Sequence, residues 1–382
     1  MGRWPDDRRK KTMELMQASE QWASRPADQR FLDLDSMQSH LDSVRLESRS
    51  AVVPSRQITV RPAGDSGESS NKGLVIEGPN GHAYAPTHWA FGQLATIAEA
   101  PAGYLRSLPA PIAADCVNFG LQFKRDVEDV GVLLQKPGFE TPATIRAVTG
   151  PRYGRVWNSD VVRALRDRFG DGRTGAFRVP GEFGKQVAVT KDNTTLYASD
   201  RDFFVFLADE QNRIEVPDRR HGKPGSLARG FFVWNSEVGA QTLGIATFLF
   251  DYACSNRIVW GAREFKELKI RHSVSAPERF LSEVTPALLR YAEGSAASVT
   301  EAVQKAKAAR LVGPDLDKFL GERFSRQMAA SLRRVHEVEE DRPMESLWDV
   351  TTALTAKARS VEWQDERVAM ERQAGEIMAL AA

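Results

Sequence analysis

Cysteine is almost missing from this chain: there are two in 382 residues, Cys116 and Cys254. Two distant thiols supply neither a disulfide framework nor the paired spacing of a zinc site, and they point to a reducing, cytoplasmic setting. Net charge is nearly missing too, at +1, so any affinity for nucleic acid has to come from local patches. No apolar run reaches the roughly 18 residues of a membrane span. The opening MGRWPDDRRKKTMELM lacks the apolar stretch of a secretory signal, and Asp6 stands where the myristoylation pattern wants Ser or Thr. No phosphate-binding loop occurs, which disfavours an ATP-driven motor; Gly181-Glu182-Phe183-Gly184-Lys185 reads as a turn. There is no His-x-x-x-His pair, no Cys-x-x-Cys pair and no solenoid repeat. The reading therefore contains no metal site, no cofactor and no assigned catalytic residue.

What is present is the composition of a packed protein, 42% hydrophobic and 27% charged. The expected fold class is α+β: a central, mainly antiparallel sheet flanked by helices, with a helical C-terminal region. Residues 1–50 read as an N-terminal arm, 51–275 as the α+β core and 276–382 as the helical region. Alternation predicts strands at Gln57–Pro62, Gly73–Glu77, Val130–Gln135, Thr144–Thr149, Gln186–Thr190, Leu196–Ser199, Phe203–Ala208, Phe231–Trp234 and Leu243–Tyr252. Helices are expected at Ser36–Leu46, within 86–108, at Ile112–Phe123 and at Asp160–Phe169, the last capped by Asn158 or Ser159. Val216–Gly230, rich in Gly, Pro and basic residues, reads as a loop.

Chemistry-bearing residues gather at the strand ends. Asn235-Ser236-Glu237 follows one apolar run and Cys254-Ser255-Asn256 another. Asn and Ser there also suit a side-chain-to-backbone turn, and a lone cysteine is more often structural. A two-carboxylate metal site from Glu237 and Asp251, or a nucleophile at Cys254 assisted by His272, would make the chain a metal-dependent nuclease or a cysteine hydrolase.

The stronger signal is basic and aromatic. Between Arg257 and His272, the cations Arg257, Arg263, Lys266, Lys269 and Arg271 outnumber Glu264 and Glu267, with Trp260 and Phe265 interleaved. Arg152, Tyr153 and Arg155 form a second cluster; Arg219, Arg220, His221, Lys223 and Arg229 form a third. Cations neutralise phosphates and rings stack bases. Against that stands the plain reading of each cluster as a solvated face.

Three ordered motifs carry a resemblance: HWAFGQLATIAEAPAGYLRSLP, AVTGPRYGRVWNSDVVRAL, and FFVWNSEVGAQTLGIATFLFDYACSNRIVWG followed by Arg271-His272. Over about residues 85–275 the chain resembles the phage- and plasmid-encoded family called domain of unknown function nine-three-two. The resemblance implies residence on a mobile element and hands over no catalytic residue. The leading expectation is a non-catalytic, mobile-element nucleic-acid-binding protein that handles single-stranded DNA in replication or recombination. Its contacts would come from Arg152, Tyr153, Arg155, Arg257, Trp260, Lys266, Lys269, Arg271 and His272. A third class is a protein-interaction factor countering host defence. In that reading the stripe through Leu347 and Leu354 forms a partner surface, or a homo-oligomer assembles through the C-terminal helices.

Overall fold

The computed structural model describes residues 26–63, 73–78, 81–123, 129–136, 143–180, 188–219, 223–251, 256–258, 267–294, 296–358 and 364–381. In chain order the strands are β1 (Arg30–Phe31), β2 (Ser48–Pro54), β3 (Thr59–Pro62), β4 (Leu74–Glu77), β5 (Ala83–Pro86), β6 (Asp129–Gln135), β7 (Thr144–Thr149), β8 (Phe177–Arg178), β9 (Leu196–Ala198), β10 (Phe203–Asp209), β11 (Ile214–Arg219), β12 (Lys223–Asn235), β13 (Leu243–Asp251), β14 (Asn256–Ile258) and β15 (Glu267–Ile270). The first sheet runs β2-β6-β7-β5-β4-β3 and is antiparallel except for β5 against β7. The second runs β1-β9-β10-β12-β13-β14, with β8 on β10, β11 on β12 and β15 on β13, all antiparallel.

The second sheet follows from two-residue alternation with apolar side chains on both faces. Phe203, Val205, Leu207, Phe231, Val233, Leu243 and Ile245 point to one core. Phe206, Phe232, Trp234, Ala246 and Phe248 point to the other. On that second face the aromatic rings cover one another, with centroids 4.8 Å apart for Phe206–Phe248 and 5.6 Å for Phe232–Phe248. The first core is closed by α1 (Leu34–Glu47), whose Leu34, Met37 and Leu41 are buried. Residues 26–50, expected as the end of an arm, are thus built into the core.

The first sheet packs on α2 (His88–Ile97), α3 (Ala102–Leu105) and α4 (Ala110–Phe123), burying Phe91, Leu94, Val117 and Leu121 against Ile76 and Val148. Next comes α5 (Asn158–Phe169), on the second sheet's first core. It is followed by α6 (Ala276–Arg279), a π-helical turn at Phe280–Val284 and α7 (Thr285–Glu293). The chain then folds α8 (Ala296–Ala308), α9 (Pro314–Arg323), α10 (Arg326–Glu340), α11 (Leu347–Ala358) and α12 (Gln364–Ala379). These share a core with Ile214, Val216, Leu227 and Leu249 at the far end of the second sheet. Leu347 and Leu354, expected as a partner surface, lie inside this core at 7% and 0% exposure, because they pack on the protein's own sheet and helices. Among the described residues no helix is long and apolar enough to cross a membrane.

Two further expectations are overturned. The segment Val216–Gly230 is no loop over its described residues: 216–219 and 223–230 belong to the paired strands β11 and β12. Pro217 is tolerated because β11 pairs on one side only among the described strands. Gly230 is required there, since a Cβ at that position would lie 2.3 Å from the Phe248 ring. Residues 188–190 of the expected strand Gln186–Thr190 are irregular. The Asn193 side chain occupies their backbone groups instead, accepting from Thr190 N at 2.7 Å and donating to Ala188 O at 3.1 Å.

Candidate functional site

The turn between β12 and β13 reaches across to the first sheet and joins the two. Arg146, on β7, donates to Glu237 Oε2 at 2.9 Å, and both side chains are 4% exposed. The other oxygen of Glu237 accepts from the backbone N–H of Asn158 at 2.8 Å. That N–H opens α5, where unsatisfied donors and the positive end of the helix dipole favour a carboxylate. The expected cap from Asn158 or Ser159 is therefore wrong. The residue before the helix is Trp157, which makes no capping bond; Glu237, distant in sequence, supplies the charge. Asn158 Oδ1 instead accepts from Asn235 Nδ2 at 2.8 Å, which also donates to Val156 O at 2.8 Å. Ser236 Oγ donates to Arg201 O at 2.7 Å and accepts from Ala240 N at 3.0 Å. Trp89 Nε1 and Gln93 Nε2 both donate to Val238 O, at 2.9 and 2.8 Å. Asn235-Ser236-Glu237 is thus a buried clamp that fixes the turn.

One flank of this turn opens into a cavity of about 870 Å³. Its walls come from four distant segments: Asp129 at the start of β6, Gly150–Tyr153 after β7, Gly239–Thr242 in the turn, and Arg271-His272 after β15. Four of the expected contact residues, Arg152, Tyr153, Arg271 and His272, therefore meet. Arg152 and Arg271 are exposed and, among the described residues, have no carboxylate at ion-pair distance. The lining holds these two cations and a single acid, Asp129.

Tyr153 and His272 form the floor. Their rings stack with centroids 4.9 Å apart, and Tyr153 Oη donates to Ser236 O at 2.8 Å. Burial raises the phenol far above its ordinary value. His272 is 9% exposed, and Nδ1 lies 3.0 Å from Gly154 O. A carbonyl only accepts, so Nδ1 carries the proton. Burial pushes the imidazole below its ordinary value, the Arg155 charge adds to this, and the Gly154 and Gln241 backbone groups act against it. The close approach needs a glycine at 154, where a Cβ would fall 1.7 Å from Ser273 O.

Arg155 lies beneath the floor. It donates to Glu237 O, and its guanidinium sits 5.2 Å from the Tyr153 ring centroid and 5.8 Å from that of Trp157. It lines a second cavity of about 710 Å³, between α5 and the π-helical turn. There most cations are already matched: Arg45 and Arg163 with Asp160, Arg168 with Glu293.

A further expected contact with a described side chain, Lys269, does not join this cavity: it is exposed on β15 opposite Gly244 and is not among the lining residues. Arg257 pairs with Phe250 in β14, but its side chain lies outside the described residues, as do Trp260 and Lys266. Of the third basic cluster, Arg229 is a correction: it is 6% exposed, pairs with Asp209 at 2.9 Å and donates to Gly294 O. The side chains of Arg219 and Lys223, and all of Arg220 and His221, lie outside the described residues. So do Cys254 and the Asp251 side chain of the enzyme readings, while Glu237 is committed to Arg146 and Asn158. No cluster of three or more His, Cys, Asp or Glu able to hold a metal occurs among the described residues.

Sequence reasoning missed Asp129, the cavity's acid, and Arg201, whose guanidinium stacks 4.2 Å from the Trp89 ring centroid beside the same turn. The only signal for Arg201 is its place in the polar stretch between two strands, which reads equally well as a spacer. No protein-family model, no curated protein and no solved structure matches this chain.

Proposed function

We propose that this protein binds single-stranded nucleic acid at the junction of its two sheets, as a non-catalytic factor of a phage or plasmid. The observation that carries the reading is the meeting of Arg152 and Arg271, far apart in the chain, on one open cavity. Guanidinium groups without carboxylate partners keep their full charge for phosphate oxygens. A fixed floor of stacked Tyr153 and His272 gives the opening a defined shape. Rigid elements anchor the lining residues, which lowers the ordering cost of binding.

The enzyme readings gain no support from Glu237, whose two oxygens are both occupied. The partner-surface reading loses Leu347 and Leu354 to the core. Titration of labelled single strands at several salt concentrations tests the proposal. The expected result is a salt-dependent complex, weakened in an Arg152→Ala/Arg271→Ala double variant. Equal binding by wild type and double variant, or no complex at low salt, overturns it.

A further inference from the structure

A second cation without a carboxylate partner among the described residues lies against the same turn, outside the residues that line the cavity. Arg201 is exposed, and its guanidinium lies 4.2 Å from the centroid of Trp89. Among the described residues it has no carboxylate at ion-pair distance. A ring holds a guanidinium in place without cancelling its charge, whereas an acid would do both. The Arg201 backbone and the Trp89 ring are each tied to the turn. Arg201 O accepts from Ser236 Oγ at 2.7 Å, and Trp89 Nε1 donates to Val238 O at 2.9 Å. The same turn, from the next residue on, forms the cavity wall at Gly239–Thr242. Arg106 and His88 stand beside it: Arg106 Nη2 donates to His88 O at 2.9 Å. Burial and the charges of Arg106 and Arg201 hold the His88 imidazole below its ordinary value, against the opposing pull of Asp200.

We infer that Arg201 stacked on Trp89 is a second contact point for the same strand, so that the ligand runs from the cavity past the accessible residues 239–242 of the turn to Arg201. This rests on the nucleic-acid reading of the cavity. The guanidinium offers a phosphate its N–H fork or a base its flat face. A strand short enough to occupy the cavity alone does not reach Arg201; a longer one does.

The test is a length series of single-stranded oligonucleotides, from a mononucleotide upward, titrated against wild type, Arg201→Ala and Arg152→Ala/Arg271→Ala. Arg201 is exposed, so its truncation leaves the fold intact, which circular dichroism checks. The expected pattern is loss of affinity in Arg201→Ala above a threshold length and none below it, with the double variant weakened at every length. Above the threshold the salt slope of Arg201→Ala falls by about 0.7 if one phosphate contact is lost. Arg201→Ala binding like wild type at all lengths overturns the second contact and leaves the cavity reading standing. Equal loss at all lengths overturns the separation of the two points. Absence of any wild-type complex overturns both readings together.

Discussion

Arg146 and Glu237 meet at 2.9 Å in the protein interior, each 4% exposed, one on a strand of the first sheet and the other in a turn of the second. Two charges withdrawn from water are tolerated only when paired and hydrogen-bonded. Here the carboxylate also caps α5 through Asn158 N. One side chain therefore holds three elements in register, and the cavity lies on the structure so fixed.

Removing one partner strands the other. Glu237→Ala is expected to lower unfolding free energy by about 3–5 kcal/mol, plus about 1 kcal/mol for the lost cap. Urea denaturation measures it. An Arg146→Met/Glu237→Leu double variant is expected to be less destabilised than Glu237→Ala, since no lone charge stays buried.

Gly154→Ala forces a Cβ to within 1.7 Å of Ser273 O. Overpacking of this kind costs on the order of 1–3 kcal/mol, and relief requires Ser273, and with it His272, to move. A lowered urea midpoint with weakened strand binding is the expected pair of results. A variant as stable and as tight as wild type contradicts the close packing described.

The imidazole of His272 is held below its ordinary value, chiefly by burial. The unfolded chain then binds the proton more readily than the folded one, so stability is full above the ordinary value of 6.5 and is lost as pH falls below it. His40 and His88 are displaced in the same direction, also chiefly by burial. The His272 share is isolated by comparing wild type with His272→Gln between neutral pH and pH 5. The variant should lose stability less steeply with acid; an unchanged slope contradicts the assignment.

Leu354 is fully buried among the C-terminal helices. Leu354→Ala should cost about 2–5 kcal/mol through the cavity it leaves and leave the assembly state of the folded protein unchanged. A change in assembly with little loss of stability, read by light scattering and urea denaturation, would return this residue to a partner surface.

Much of the architecture was legible because the second sheet writes its pleat into the sequence. The alternation from Phe203 and from Phe231 sends successive side chains to two different cores. Thr144–Thr149 was readable with both ends correct. The β11–β12 hairpin was hidden by Pro217 and Gly230, whose turn-forming character is overruled by an edge position and by a ring needing space. At the site, the local Arg152-Tyr153 and Arg271-His272 pairs were visible as cation-plus-ring motifs. That they meet, and that Arg229 does not join them, depends on contacts between distant segments. Glu237 as the cap of α5 lies 79 positions from the N–H it serves, beyond any local pattern.

The central claim is that two arginines distant in the chain, Arg152 and Arg271, form one anion-binding opening. Its most direct measurement is the affinity of a fluorescent single-stranded oligonucleotide for wild type and for Arg152→Ala, Arg271→Ala and the double variant across a salt series. The account predicts weaker binding in each single variant, a further loss in the double, and a salt slope that falls by about 0.7 for each phosphate contact removed. Binding that is indifferent to both substitutions, with the same slope throughout, would contradict it.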